Sequence, residues 1–220
     1  MLLEVCIDNI HSAQAALAGG AHRLEVCSSL SEGGLTPSYG LVKSCQNLDL
    51  PLMVMIRPRG GDFVYSDADF EVMKKNVQAA KDLGVEGIVS GILNSSRQID
   101  IARTKTLIDM AQPLSFTFHR AFDVVDNPFE ALEELIDLGV DRVLTSGQAD
   151  TAIEGIDILS KLVKKANERI TILAGGGVNG ANAGRLLGAG LTELHASASV
   201  VENNYQQTKI EKVKAIVDSF

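Results

Sequence analysis

The sequence predicts a (β/α)8 barrel of the TIM type, formed as a single domain over residues 1–220, and three observations lead there. A turn-then-strand phrase recurs four times: Gly20-Ala21-His22-Arg23-Leu24, Gly84-Val85-Glu86-Gly87-Ile88, Gly139-Val140-Asp141-Arg142-Val143 and Gly190-Leu191-Thr192-Glu193-Leu194. Four more short apolar runs lie between these copies, at Leu2 to Ile7, Leu52 to Ile56, Leu114 to Phe118 and Ile170 to Ala174. Amphipathic segments of helical period separate the eight runs. Strict alternation of strand and helix implies parallel strands joined by right-handed crossovers, and a closed barrel satisfies this in one domain. A doubly wound open sheet is the alternative. It seldom has eight evenly spaced units, and no Gly-x-Gly-x-x-Gly follows the first strand.

In chain order, helices are expected near 11–19, 38–47, 67–83, 100–111, 128–139, 151–166, 179–188 and 208–219. Pro37 and Pro128 occupy first-turn or cap positions, and Ser38, Asp100 and Asp126 or Asn127 are suited to accept from free N–H groups at helix starts. The glycine opening each recurrent phrase is suited to the left-handed residue that ends the preceding helix.

Composition narrows the function. The 220 residues are 45% hydrophobic and 22% charged, which excludes extended disorder, and the formal charge of -8 opposes a nucleic-acid backbone. No window of 18 uninterrupted apolar residues suggests a membrane span, and Met1-Leu2-Leu3-Glu4 lacks the basic and apolar regions of a signal peptide. A cytoplasmic location is expected. Cys6, Cys27 and Cys45 are an odd number of cysteines, read as free thiols in a reducing compartment.

Side chains alternate across a strand, so chemistry separates the two faces. Leu3, Val5 and Ile7 suit packing against helices, which points Glu4, Cys6 and Asp8 inward. The same logic sends inward Glu25 and Cys27, then Met53, Met55 and Arg57, then Ser115, Thr117 and His119, and finally His195 and Ser197. Buried carboxylates need partners, and Arg57, His119 and His195 are the candidates, either as a structural ion network or as a ligand site. The loops after the strands gather at the C-terminal mouth, where barrel enzymes work. Among them, Arg57 and Arg59 are expected to hold an anion, with paired glycines bringing N–H groups close.

Those loops carry a resemblance. Through Glu4-Val5-Cys6, Leu24-Glu25-Val26-Cys27, Glu32-Gly33-Gly34-Leu35-Thr36-Pro37-Ser38, Ile56-Arg57-Pro58-Arg59-Gly60-Gly61-Asp62-Phe63, Thr117-Phe118-His119-Arg120-Ala121-Phe122-Asp123 and Val143-Leu144-Thr145-Ser146-Gly147, the chain resembles the CutC family nearly end to end. The resemblance implies a TIM-like barrel, a cytoplasmic homo-oligomer (dimer or tetramer) and a role in copper homeostasis. Relatives in that family continue well past the His195 strand, whereas 25 residues follow it here.

Two functions of different class follow. In the first, Cys6 and Cys27, near the mouth ends of adjacent strands, bind copper as Cu(I), because soft thiolates select that ion. Met55 is expected to fill the core and Cys45 to be inert. In the second, the barrel is an enzyme of lyase, isomerase or hydrolase type acting on a small anionic or phosphorylated metabolite. Glu4, Glu25, His119 and Asp123 would be its catalytic groups, and Arg57, Arg59, Ser146, Gly176 and His195 would bind substrate. No inward lysine is available for Schiff-base chemistry.

Overall fold

A computed structural model describes residues 1–202 and 205–220. Eight parallel strands close on themselves in sequence order: β1 (Leu2–Ile7), β2 (Arg23–Val26), β3 (Leu52–Met55), β4 (Gly87–Ser90), β5 (Ser115–Phe118), β6 (Arg142–Thr145), β7 (Thr171–Gly175) and β8 (Glu193–Ala196), with β8 pairing back onto β1. The fold is the (β/α)8 barrel that the alternation predicts. Outside it lie α1 (Ile10–Gly19), α2 (Tyr39–Cys45), α3 (Asp67–Leu83), α4 (Ile101–Ala111), α5 (Pro128–Asp137), α6 (Ile156–Ala166), α7 (Ala183–Gly188) and α8 (Ile210–Val217). No helix among the described residues is long and apolar enough to cross a membrane.

Local chemistry sets the element ends. Ser38, Asp100 and Asn127 each accept from the first-turn N–H groups of α2, α4 and α5, and Ser66 with Asp69 forms a reciprocal capping box on α3. Gly20, Gly84, Gly139 and Gly190 all have positive φ, so the recurrent glycine is the residue that turns the chain from helix back to strand.

Two helices start later than their period predicts. Residues 151–155 form a turn in which Thr151 and Glu154 bond each other, and α6 begins only at Ile156. Before α7, the Asn179 and Asn182 side chains bond neighbouring N–H groups and hold a turn until Ala183. An antiparallel hairpin, β9 (Ser199–Glu202) with β10 (Tyr205–Thr208), precedes α8 and was not signalled by the sequence. Thr208 ties it to the barrel, its N–H donating to Ser12 Oγ and its hydroxyl to the Ser197 carbonyl.

The main core lies between barrel and helices, where Leu3, Val5, Ile7, Leu24, Val26, Ile88, Phe116 and Phe118 are buried as the alternation requires. Each such side chain removed from water contributes about 1.5–3 kcal/mol. Inside the barrel, Cys27, Met53, Met55 and Val89 form a small apolar cluster, and Leu144 and Leu173 are also buried on the inward face. Glu4, Arg23, Glu25, Thr117 and His195 make much of the remaining interior polar.

Candidate functional site

Strand register builds the floor of the site. Glu4 is aligned with Arg23 on β2 and with His195 on β8, so three inward side chains share one row across the β2–β1–β8 seam. Arg23 Nε donates to Glu4 Oε2 at 2.5 Å, and Arg23 also donates to Glu193 Oε2 at 2.7 Å. On the other side, His195 Nδ1 lies 2.8 Å from Glu4 Oε1. Burial by itself pushes the Glu4 carboxyl up, but the His195 hydrogen bond and the Arg23 charge outweigh it and hold the group at about 2. Glu4 is therefore a carboxylate, and His195 presents Nδ1–H to it.

One step toward the mouth, Cys6 is aligned with Glu25. The Cys6 thiol, a Glu25 oxygen and a His195 ring nitrogen lie within 4.8 Å of one another, and all three residues are buried. His195 Nε2 is 3.7 Å from Glu25 Oε2, and Glu25 Oε1 is a buried oxygen without a partner. Burial raises the Glu25 carboxyl to about 7 against the opposing pull of His195. Burial also favours a neutral His195 ring, yet Cys6, Glu25 and Glu4 around it raise its pKa well above the ordinary value.

Cys27 is fully buried, donates to Glu25 Oε2 at 3.5 Å and does not line the mouth cavity. Burial, then the neighbouring Glu25, push its thiol well up, so it remains protonated. Cys45 is buried in the outer core, and burial raises it to about 11.

Above this floor opens a cavity of about 430 Å³. Cys6, Glu25, Arg57, His119, Gly176 and His195 all border it, as do Met55 and Phe63. His119 directly follows β5 and caps the turn after it, its Nδ1 accepting from the Ala121 N–H at 3.2 Å. Gly91 makes room for it, since a Cβ there would stand 2.6 Å from the imidazole. Burial and the nearby Arg57 charge depress His119 to about 3, so the ring is neutral. Arg57 donates to the carbonyls of Glu32 at 2.6 Å, Gly34 at 3.1 Å and Gly61 at 2.9 Å, stapling the loops after β2 and β3.

These positions revise the expected ion network. Arg57 and His119 do not pair with the buried glutamates; Arg23 does, together with His195. The arginine fork does not form either. Arg59 turns away to Asp62 and Asp69 and lies over Tyr65, outside the cavity. Asp123 accepts from Arg120 Nε, Thr145 Oγ1 and the Ser146 N–H, clamping the loops after β5 and β6. Neither Asp123 nor Ser146 borders the cavity. Arg23 went unrecognised in the sequence, although alternation from Glu25 places it on the inward face.

A family model described as the CutC family matches residues 1–200. The human copper homeostasis protein cutC homolog is 48% identical over 199 residues, which is 90% of this chain and 73% of that protein. A CutC family protein of Pasteurella multocida is 49% identical over 90% of this chain and 82% of its own length. The crystal structure of a CutC protein from Streptococcus agalactiae superposes with a TM-score of 0.85 at 34% identity, covering 90% of this chain and 98% of that one. A thiamine phosphate pyrophosphorylase from Pyrococcus furiosus shares the fold at 19% identity, with a TM-score of 0.68.

Proposed function

The chain belongs to the CutC family, and from that premise we propose that it is a copper-handling protein whose ion seat is Cys6, His195 and Glu25 at the floor of the barrel mouth. The hydrogen bond between Glu4 and His195 carries this reading. A carboxylate on one imidazole nitrogen fixes the ring and leaves the other nitrogen for a metal, the usual support of a histidine ligand. Here Nε2 is the nitrogen left facing Glu25. The unpartnered Glu25 Oε1 supplies a third acceptor, and the Cys6 thiolate with imidazole gives the soft donors that favour Cu(I).

The reading changes the role of one cysteine. Cys27, a protonated thiol bonded to Glu25, positions that carboxylate instead of sharing the ion. Because His195 holds a second proton in the free protein, loading the ion releases it, and binding weakens as pH falls. The three free cysteines fit a reducing, cytoplasmic setting, and the homo-oligomer implied by the resemblance belongs to the same reading.

Anaerobic titration of the reduced protein with Cu(I) against a competing chelator tests this. One ion per chain is expected, lost in Cys6→Ser, weakened about tenfold or more in His195→Gln and retained in Cys27→Ser. Full binding in Cys6→Ser overturns the proposal, and loss in Cys27→Ser replaces it with a pair of thiolates.

A further inference from the structure

The copper seat uses only the β1–β2–β8 side of the mouth. Across the cavity stand two groups with unmet needs. The first is His119. Its Nδ1 accepts a backbone hydrogen bond, so a neutral ring must carry its proton on Nε2, and Nε2 is buried without an acceptor among the described residues. A buried N–H donor left unmatched is destabilising, so the position calls for an acceptor. The second is Arg57, which is 5% exposed and has no carboxylate within ion-pair distance among the described residues. Backbone carbonyls hold its guanidinium in place but leave its charge unbalanced.

Phe63 locks the two together, its ring centre 5.0 Å from the His119 ring and 5.0 Å from the Arg57 guanidinium carbon. Both side chains border the same cavity, and its volume of about 430 Å³ suits a small metabolite. We propose that this wall of the mouth is a binding subsite for a small organic oxyanion, a carboxylate or phosphoryl group that accepts from His119 Nε2–H and balances the charge of Arg57.

A neutral N–H beside a fixed positive charge is a selective arrangement. The imidazole can donate but does not titrate near neutral pH, so the subsite keeps one donor pattern across the physiological range. Glu25 and Glu32 also border the cavity, which disfavours a ligand with negative charge at both ends. The proposal stands independently of copper, since neither His119 nor Arg57 belongs to the ion seat.

The test uses metal-free protein labelled with ¹⁵N in histidine, titrated with inorganic phosphate or with acetate and followed by two-bond ¹H–¹⁵N spectra. Sodium chloride at matched ionic strength is the control. Expected are an Nε2–H pattern for His119 in the free protein and a saturable shift of its Nε2 with one of the two anions. His119→Asn, which keeps a side-chain acceptor for the Ala121 N–H but removes the Nε2 donor, should weaken that anion about tenfold or more as read by calorimetry. Saturation by phosphate alone assigns a phosphoryl ligand, and saturation by acetate alone assigns a carboxylate. An Nδ1–H pattern, a response that chloride reproduces, or undiminished affinity in a folded His119→Asn protein overturns the subsite.

Discussion

Replacing Arg23 by methionine isolates what the buried ion row contributes. The side chain is 4% exposed, lies 2.5 Å from Glu4 and 2.7 Å from Glu193, and methionine fills much of its volume while removing charge and donors. Breaking a buried pair from one side costs about 3–5 kcal/mol, because the remaining carboxylate stays buried. Glu4 keeps its His195 hydrogen bond and Glu193 keeps Arg142 at 3.3 Å, so the lower end, about 3 kcal/mol, is expected. That is a large share of the roughly 5–15 kcal/mol that holds a typical domain. The chain has no tryptophan, so urea unfolding is followed by far-ultraviolet circular dichroism. Combining Arg23→Met with Glu4→Gln should cost less than the sum of the two single changes, since each removes the other's reason to matter. Arg169→Met, on an exposed pair with Glu133, serves as a surface control expected to change little. A loss below about 1 kcal/mol for Arg23→Met, or strict additivity with Glu4→Gln, would refute the reasoning.

Two further predictions concern backbone and protons. Gly155→Ala places a Cβ 1.9 Å from the Ser146 carbonyl oxygen and should cost more than about 2 kcal/mol, whereas Gly184→Ala meets nothing within 4 Å on α7 and should gain about 0.5–1 kcal/mol; paired urea melts compare them. His119, depressed to about 3 from 6.5, stabilises fully above pH 6.5 and loses that contribution as pH falls toward 3, by up to about 1.4 kcal/mol per pH unit. Glu4, held at about 2, adds its own loss only below about pH 4.5. Glu25 runs the other way, its contribution being complete below pH 4.5 and fading as pH rises through about 7. Between pH 6.5 and 5.5, His119→Asn should therefore lose about 1 kcal/mol less than the unaltered protein, and parallel unfolding curves for the two would show that His119 is not neutral in the fold.

Much of the barrel is legible because its signals are local. A glycine that must adopt positive φ, a serine or asparagine placed at a first turn, and an apolar run of strand length each act within a few residues, and they recur along the chain. The hairpin around 199–208 escaped because its strands are short and partly exposed, with no repeated phrase. The site was only partly readable for a different reason. Alternation identifies which residues face inward, but Arg23 meets Glu4 because of the stagger between β1 and β2, a property of barrel closure carried by no local motif. Asp123 suits a catalytic role in sequence and Ser146 a substrate-binding one, yet each answers hydrogen-bonding groups on a neighbouring loop. Arg57 faces the mouth as alternation requires, while its partners are carbonyls, which sequence pattern does not mark.

The pairing of β1 with β8 also sets an order of events during synthesis. Residues 2–5 leave the ribosome ahead of residues 193–196, which at about 5–20 residues per second follow roughly ten to forty seconds later. Arg23 is synthesised early in that interval and His195 only at its end, so the counter-charge for the Glu4 carboxylate is available long before its second partner. Until then the nascent chain carries an open sheet edge, which a holding chaperone or a neighbouring chain can engage. The thiol on β1 and the imidazole on β8 meet only when the ring shuts, so a growing chain carries Cys6 and Glu25 without the His195 that completes their cluster.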